Sequence, residues 1–398
     1  MAGVHDDAVA IAAEVTKLRQ AIHAEPEIGL DLPRTQRKVL DALDGLPLEI
    51  TLGKSLSSVA AVLRGGQPGK TVLLRGDMDA LPVTERTGLP YASMIDGAMH
   101  ACGHDLHTAM LAGAARLLSA RQRDLAGNGI FMFQPGEEGP GGARIMVGEG
   151  VLDVAGDRPV AAYALHVASG LLPLGLVASR TGTVMAAADT LHVTVHGRGG
   201  HGSQPHRAAD PIPVACEIVL ALQTMVTRRF DVFDPVVITV GTFHAGTVDN
   251  VIPDDAHFVA TIRSFSPEAR EAVQAAAPRV ASDVATAHGI TATAEFRDGY
   301  PVTVNDTAEL AFAEQTVAEV LGQGKYIAAP NPLTGSEDFS YVLEEVPGAF
   351  LMLGACAPDV DPFAAPFNHS AEAVFDDAVI ADGTALYAEL ALRRLGSD

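Results

Sequence analysis

Apolar residues recur at helical spacing over residues 7–22, and Ala-Glu-Pro at 24–26 closes that segment, so the chain is expected to open on a helix. Two β-rich runs follow at 59–63 and 71–74, joined by a connection carrying Gly65, Gly66, Pro68 and Gly69. The second run leads straight into Gly-Asp-Met-Asp-Ala at 76–80. Helical periodicity returns over 107–120, and a short apolar strand at 129–133 delivers the chain to Gln134, Pro135 and Gly136. The uncharged stretch 160–178 approaches membrane-spanning length, but His166, Pro173 and two glycines inside it read as strand, turn and strand. Strands alternating with helices predict an α/β sheet whose strand-end loops carry chemistry.

A different pattern occupies 184–296. An alternating strand at 190–196 is followed by a helix at 211–229, strands at 236–243 and 257–265, a helix at 267–288 and a strand at 291–296. That order, β-α-β-β-α-β, is the ferredoxin-like arrangement. After Asp298 the α/β character resumes with a helix at 307–321, an apolar strand at 349–353 and a final helix at 378–395. Residues 1–183 and 297–398 therefore read as one discontinuous α/β domain, interrupted by an α+β unit at 184–296.

Composition adds limits to this picture. A chain of 398 residues is longer than one ordinary core supports, in keeping with two domains. Hydrophobic residues at 48% and charged residues at 19% give a globular balance. A formal charge of −22 would repel phosphate backbones and anionic lipid surfaces, which argues against nucleic-acid and membrane partners. An anionic substrate would need a local basic anchor. Cys102, Cys216 and Cys356 are odd in number and widely spaced, which points away from a disulfide framework and toward a reducing compartment. Asp6, Asp7 and Glu14 stand where a secretory signal would need a cationic start and an apolar run, so a soluble cytoplasmic protein is expected.

The densest chemical signal is Met-His-Ala-Cys-Gly-His-Asp-Leu-His-Thr at 99–108, at an expected loop-to-helix junction. Thiolate and neutral imidazole are good ligands for zinc and similar ions, and Cys102 and His104 can face one ion from an irregular loop. The alternative is a solvated His-rich loop beside a buried thiol. Glu137 and Glu138 follow a core strand, where two adjacent carboxylates repel unless a cation compensates them. One could ligate a metal while its neighbour moves a proton; out of context, such a pair is a solvated surface feature. His166 in an apolar run reads equally as a core histidine, and His369 in a Pro-rich loop is ambiguous by itself. Asp77 and Asp79 could orient a ligand or tune a base, or serve only turn and cap chemistry.

Taken together the segments resemble the M20 metallopeptidase family over nearly the whole chain, in particular its amidohydrolase branch of hippurate, indole-acetyl-amino-acid and N-acyl-amino-acid hydrolases. The resemblance rests on His-Ala-Glu-Pro-Glu at 23–27, Arg-Gly-Asp-Met-Asp-Ala-Leu-Pro at 75–82, Cys-Gly-His-Asp-Leu-His at 102–107 and Gln-Pro-Gly-Glu-Glu at 134–138. Further along come Gly-Gly-His-Gly-Ser-Gln-Pro-His at 199–206, Asn-Val-Ile-Pro at 250–253, Thr-Ile-Arg at 261–263 and Gly-Ser-Glu-Asp-Phe at 335–339. It implies a zinc-peptidase-like α/β catalytic domain with an inserted ferredoxin-like lid, and two divalent metal ions per subunit. Zinc comes first among these, with manganese, cobalt or nickel also compatible.

By the same resemblance Cys102, His104, Glu138, His166 and His369 are the metal ligands, Glu137 the general base and acid, and Asp79 the supporting carboxylate. His201 of the lid would polarise the scissile carbonyl, often in the partner subunit's site, which implies a homodimer through the lid. Asn250 and Arg263 would hold the substrate's free carboxylate, with the backbone near Gly335 as a further contact. An Arg guanidinium meets the need for a local basic anchor. The implied reaction is metal-dependent hydrolysis of the amide bond of N-acyl amino acids. A carboxypeptidase or dipeptidase on short peptides needs the same machinery, and a non-catalytic metal-dependent binder of acylated amino acids is the alternative of another class. Gly76, where relatives often carry Ala, and Thr334, where Met is frequent, depart from the family pattern; Thr334 leaves the acyl pocket open.

Overall fold

The computed structural model describes residues 3–396. The chain divides into two compact units: one of Met1–Val184, Val304–Asn331 and Asp338–Asp398, the other of Met185–Thr303 with Pro332–Glu337.

The first unit is built on an eight-stranded sheet. Its order is Leu48–Leu52, Val59–Arg64, Ala126–Gln134, Gln67–Asp77, Ala161–Pro173, Gly348–Cys356, Val177–Ser179 and Tyr326–Ala328. The central four strands run parallel to one another, with antiparallel pairs toward the flanks. Parallel strands covered on both faces read as unbroken apolar runs, as in Ile130–Met132 flanked by Phe133 and in Ala161–Leu165, all fully buried. The two early runs are not neighbours: Ala126–Gln134 lies between them, antiparallel to one and parallel to the other. Helices His104–Ser119 and Val379–Gly396 pack against the sheet and against each other, and Val4–His23 packs on those two helices.

His104–Ser119 is buried on nearly all sides, and its start is fixed by Gly103 at φ 83°. A Cβ on Gly103 would stand 2.3 Å from Val167 Cγ2, so glycine is required there both by backbone conformation and by the close approach of the neighbouring strand. Sequence periodicity missed the Pro33–Leu43 helix, which buries only Thr35, Val39 and Leu43 and so carries little apolar pattern. Among the described residues no helix is long and apolar enough to cross a membrane.

The second unit has a four-stranded antiparallel sheet in the order Val236–Ala245, Asp255–Ser264, Ala187–His196, Thr291–Tyr300. Helices Pro211–Arg229 and Pro267–Ala287 cover one face, giving the ferredoxin-like arrangement. Strict alternation buries every second residue of Ala187–His196. Both helices start on an acceptor cap, Asp210 taking the Ile212 N–H at 3.0 Å and Ser266 the Ala269 N–H at 2.9 Å, each with proline in the first turn. The last strand continues past Phe296 through a register shift between Arg297 and Tyr300. Its polar residues there broke the sequence pattern before the ladder ended.

Candidate metal centre

The chemistry-bearing residues of the first unit gather at the carboxyl ends of its parallel strands, where open α/β sheets place their sites. Asp77 ends one strand, Gln134 its neighbour, His166 stands within a third, and the loop before His104–Ser119 supplies Cys102. Potential ligand atoms of Cys102, His104 and His166 lie within 4.8 Å of one another, as do those of Cys102, Glu138 and His369, and those of His104, Glu137 and Glu138. Cys102 is thus common to two triads. Its sulfur stands 3.4 Å from His166 Nε2, and Glu138 Oε1 stands 3.1 Å from His369 Nε2.

These residues suit bound cations. His104 is fully buried and neither of its ring nitrogens has a hydrogen-bond partner; Nδ1 is 3.4 Å from Asp79 Oδ1, and Nε2 is 3.9 Å from an oxygen of each of Glu137 and Glu138. A buried imidazole left without a partner among carboxylates and a thiol has the environment of a ligand, because unpaired polar burial is otherwise costly. Thiolate, imidazole and carboxylate together match zinc and neighbouring transition metals.

The tertiary structure also separates candidate ligands from side chains whose polar atoms are already paired. His107 donates from Nδ1 to Asp77 Oδ1 at 2.6 Å and accepts the Val167 N–H on Nε2 at 2.7 Å, so neither nitrogen is left for a metal. Its pKa is lowered, chiefly by burial, in keeping with a neutral ring. His166 points Nδ1 at its neighbour's carbonyl, Val167 O, at 2.9 Å, leaving Nε2 toward Cys102. Asp79 accepts the backbone N–H of Glu137 and of Glu138, both at 3.0 Å, and so sets the path of the two-glutamate loop. Asn368 bridges loop and strand: Nδ2 donates to Val167 O at 2.9 Å and to Cys102 O at 3.2 Å, and Oδ1 accepts the Ser169 N–H at 3.0 Å.

Beneath the centre lies a network that sequence reasoning missed. Arg75 donates to Asp77 at 2.5 Å, to Gln134 at 2.8 Å and to Asp338 at 2.9 Å, and Gln134 also binds Asp338 at 2.8 Å. All four side chains are buried, so three separated sequence segments lock together through one guanidinium. Burial alone would raise the Asp77 pKa, but Arg75, His104 and His107 hold it well below the usual carboxylate range. Arg75→Met leaves two buried carboxylates without their cation and is expected to lower stability by about 3–5 kcal/mol, read from the urea midpoint of the metal-free protein. The available signal was an arginine directly after the apolar run Val72–Leu74.

In the second unit, His201 and Asn250 meet at a short two-stranded antiparallel ladder, where Gly200–His201 pairs with Val251–Ile252 and the Gly202 N–H donates to Asn250 O at 2.8 Å. Ser203 Oγ lies 2.9 Å from His201 Nδ1. Arg263 and Gly335 stand at the other end of this unit: Arg263 pairs with Ala188, and the Ala186 N–H donates to Gly335 O at 3.0 Å. Arg263 Nη1 is buried without a hydrogen-bond partner, and burial lowers the guanidinium pKa. The strand from Asp255 to Arg263 spans about 26 Å at ~3.3 Å per residue. Asn250 and Arg263, expected on one carboxylate, therefore do not share one end of the unit.

Residues 73–393 match the model of peptidase family M20/M25/M40. The chain belongs to this family. It is 37% identical to thermostable carboxypeptidase 1 of Saccharolobus solfataricus over 383 residues, which cover 95% of each protein. It is 36% identical to an N-acetylcysteine deacetylase of Bacillus subtilis over 338 residues, 85% of this chain and 87% of that protein. A crystal structure of a Bacillus subtilis dinuclear metal binding peptidase from the M20 family superposes with a TM-score of 0.84 at 32% identity, covering 98% of this chain and 99% of that one. This M20 chain is accordingly a hydrolase acting on amide bonds, with an α/β catalytic domain and a ferredoxin-like lid.

Proposed function

We propose that this M20 enzyme hydrolyses the amide bond of N-acyl amino acids to a free amino acid and a carboxylic acid. The observation that carries this reading is the place of Glu137: its carboxylate is buried, belongs to a cluster with His104 and Glu138, and sits on a loop whose backbone is held by Asp79. Cys102, His104 and His166 would hold one divalent ion, and Cys102, Glu138 and His369 the other, zinc first with manganese, cobalt or nickel compatible with the donors. When bound, the ions supply Lewis acidity toward water and the acyl oxygen. Glu137 takes the proton of the attacking water and returns one to the leaving nitrogen. Arg263 anchors the free carboxylate.

His201 and Asn250 lie at the opposite end of the lid from Arg263, which supports their serving the site of a second copy in a homodimer joined through the lid. Mixing Glu137→Gln with His201→Ala subunits is then expected to restore activity, because some mixed dimers pair an intact Glu137 site with an intact His201; an active enzyme that sediments only as a monomer overturns the arrangement. Three free cysteines suit the cytoplasm. The acyl-amino-acid reading is supported by the N-acetylcysteine deacetylase relative. The carboxypeptidase relative favours a second reading, cleavage of short peptides. Turnover of N-acetyl and N-benzoyl amino acids against matched dipeptides decides between them: faster cleavage of the dipeptides rejects the first.

A further inference from the structure

The His-Ala-Glu-Pro-Glu segment supplies no ligand, yet its first residue is buried in a charged cluster beside the centre. His23 Nδ1 lies 2.7 Å from Asp105 Oδ2, and His23 Nε2 lies 3.3 Å from Glu85. Burial opposes the imidazolium, but Asp105 and Glu85 outweigh it and raise the pKa to about 9, so both ring nitrogens donate. Glu85 is the matching anion. Burial would raise its pKa, but His23, the Thr87 hydroxyl and the Ser93 N–H bring it to about 2.

Residues 82–97 around Glu85 form neither helix nor strand, and every one is half-buried or exposed. The Glu85 side chain is the exception, at 4% exposure. A segment without a ladder or a core keeps its place through a few anchors. Besides Glu85, these include the Met94 N–H donating to Ala24 O and the Arg86 N–H donating to Ala371 O, both at 2.8 Å, the Tyr91 ring against Arg19 and His23, and Val83 at the edge of the main core. Ala371 lies two residues beyond His369.

His369 draws on such help in addition to the bonds of its neighbour Asn368. Its side chain is 56% exposed and its φ is 73°, a left-handed conformation that costs a non-glycine residue energy and persists only where neighbours impose it. Its N–H donates to Ala101 O at 2.8 Å, the one hydrogen bond holding its own backbone N–H. The Cys102, His104 and His166 triad, by contrast, sits on a buried helix start and a central strand.

We infer that residues 82–97 act as a strap, pinned to His23 through Glu85, that positions the His369 loop through Arg86 and so sets retention of the ion held by Glu138 and His369. The inference rests on the metal-centre reading above. His23 and Glu85 are positioning residues and touch neither metal nor substrate.

The test is metal content under graded chelation of the fully loaded enzyme. Glu85→Ala should release one of the two ions at roughly 10- to 100-fold lower chelator, the usual scale for losing an outer partner of a ligand. Glu85→Gln, which keeps an acceptor for the Ser93 N–H and His23, should restore most of the retention. In a His369→Ala background Glu85→Ala should add nothing for the remaining ion, as two changes acting through one element do. Parallel loss of both ions, unchanged retention, or an additive effect in the His369→Ala background overturns the inference. Thr87→Ala, which removes the hydroxyl contact to Glu85 together with the acceptor of the Leu89 N–H, gives the same readout if Glu85→Ala does not fold. A wild-type protein that takes up no metal would instead reject the metal-centre reading itself.

Discussion

Glu137→Gln is expected to bind metal as the native enzyme does and to lose about 10²- to 10⁴-fold in turnover, the range that a positioned acid-base group supplies. The change is nearly isosteric. It keeps the backbone N–H that donates to Asp79, so the path of the loop and the placement of Glu138 are preserved. What disappears is the ability to accept a proton from water and pass one to the leaving nitrogen. Steady-state turnover of an N-acetyl amino acid, measured beside metal content on the same preparation, separates the two roles. Full activity in the variant rejects Glu137 as the proton carrier. Loss of metal in parallel with activity would show it to be a ligand instead.

Cys102→Ala should empty both metal positions, whereas His166→Ala should weaken one. The asymmetry follows from geometry: Cys102 is shared by the triads with His104 and His166 and with Glu138 and His369, while His166 belongs only to the first. Removing the thiolate takes a charged donor from both ions and leaves His166 and His104 on one side, and Glu138 and His369 on the other, without the ligand they share. The fall in affinity should exceed the roughly 10- to 100-fold typical of losing an outer-shell partner. Metal analysis of both variants, purified without chelator, is the measurement. Equal loss in the two would remove Cys102 from its shared position, and retention of both ions in Cys102→Ala would remove it from the ligand set.

Much of the architecture was legible along the chain. Burying one face of an element forces a period of 2 or 3.6 on its apolar residues, so the two lid helices, the lid strands and the central parallel strands stood out. The sequence pattern changes at residue 184 and changes back after 296, for the same reason, while the compact second unit runs over Met185–Thr303 and also takes in Pro332–Glu337. Elements with a thin buried stripe, such as Pro33–Leu43, left too few apolar positions to register. Strand order left no trace at all, because a strand's sequence records that its faces are buried but not which neighbour it hydrogen-bonds.

By itself the sequence determined the fold class, the clustering of ligand-type residues at 99–108 and, by family order, the residues to examine. The tertiary structure decided which of them come together. Three histidines within 99–108 look alike in sequence, yet His107 is spent on Asp77 and the Val167 N–H, partners 30 and 60 residues away, and of His100 and His104, both without a hydrogen bond, His104 alone lies within 4.8 Å of other ligand-type atoms in a candidate cluster. Arg75 at the base of the centre, Cys102 shared between two triads, and the distance between Arg263 and the His201–Asn250 ladder likewise depend on long-range contacts. Periodicity is a local consequence of burial, whereas ligation and proton transfer depend on distances of a few ångströms between residues that only folding brings together.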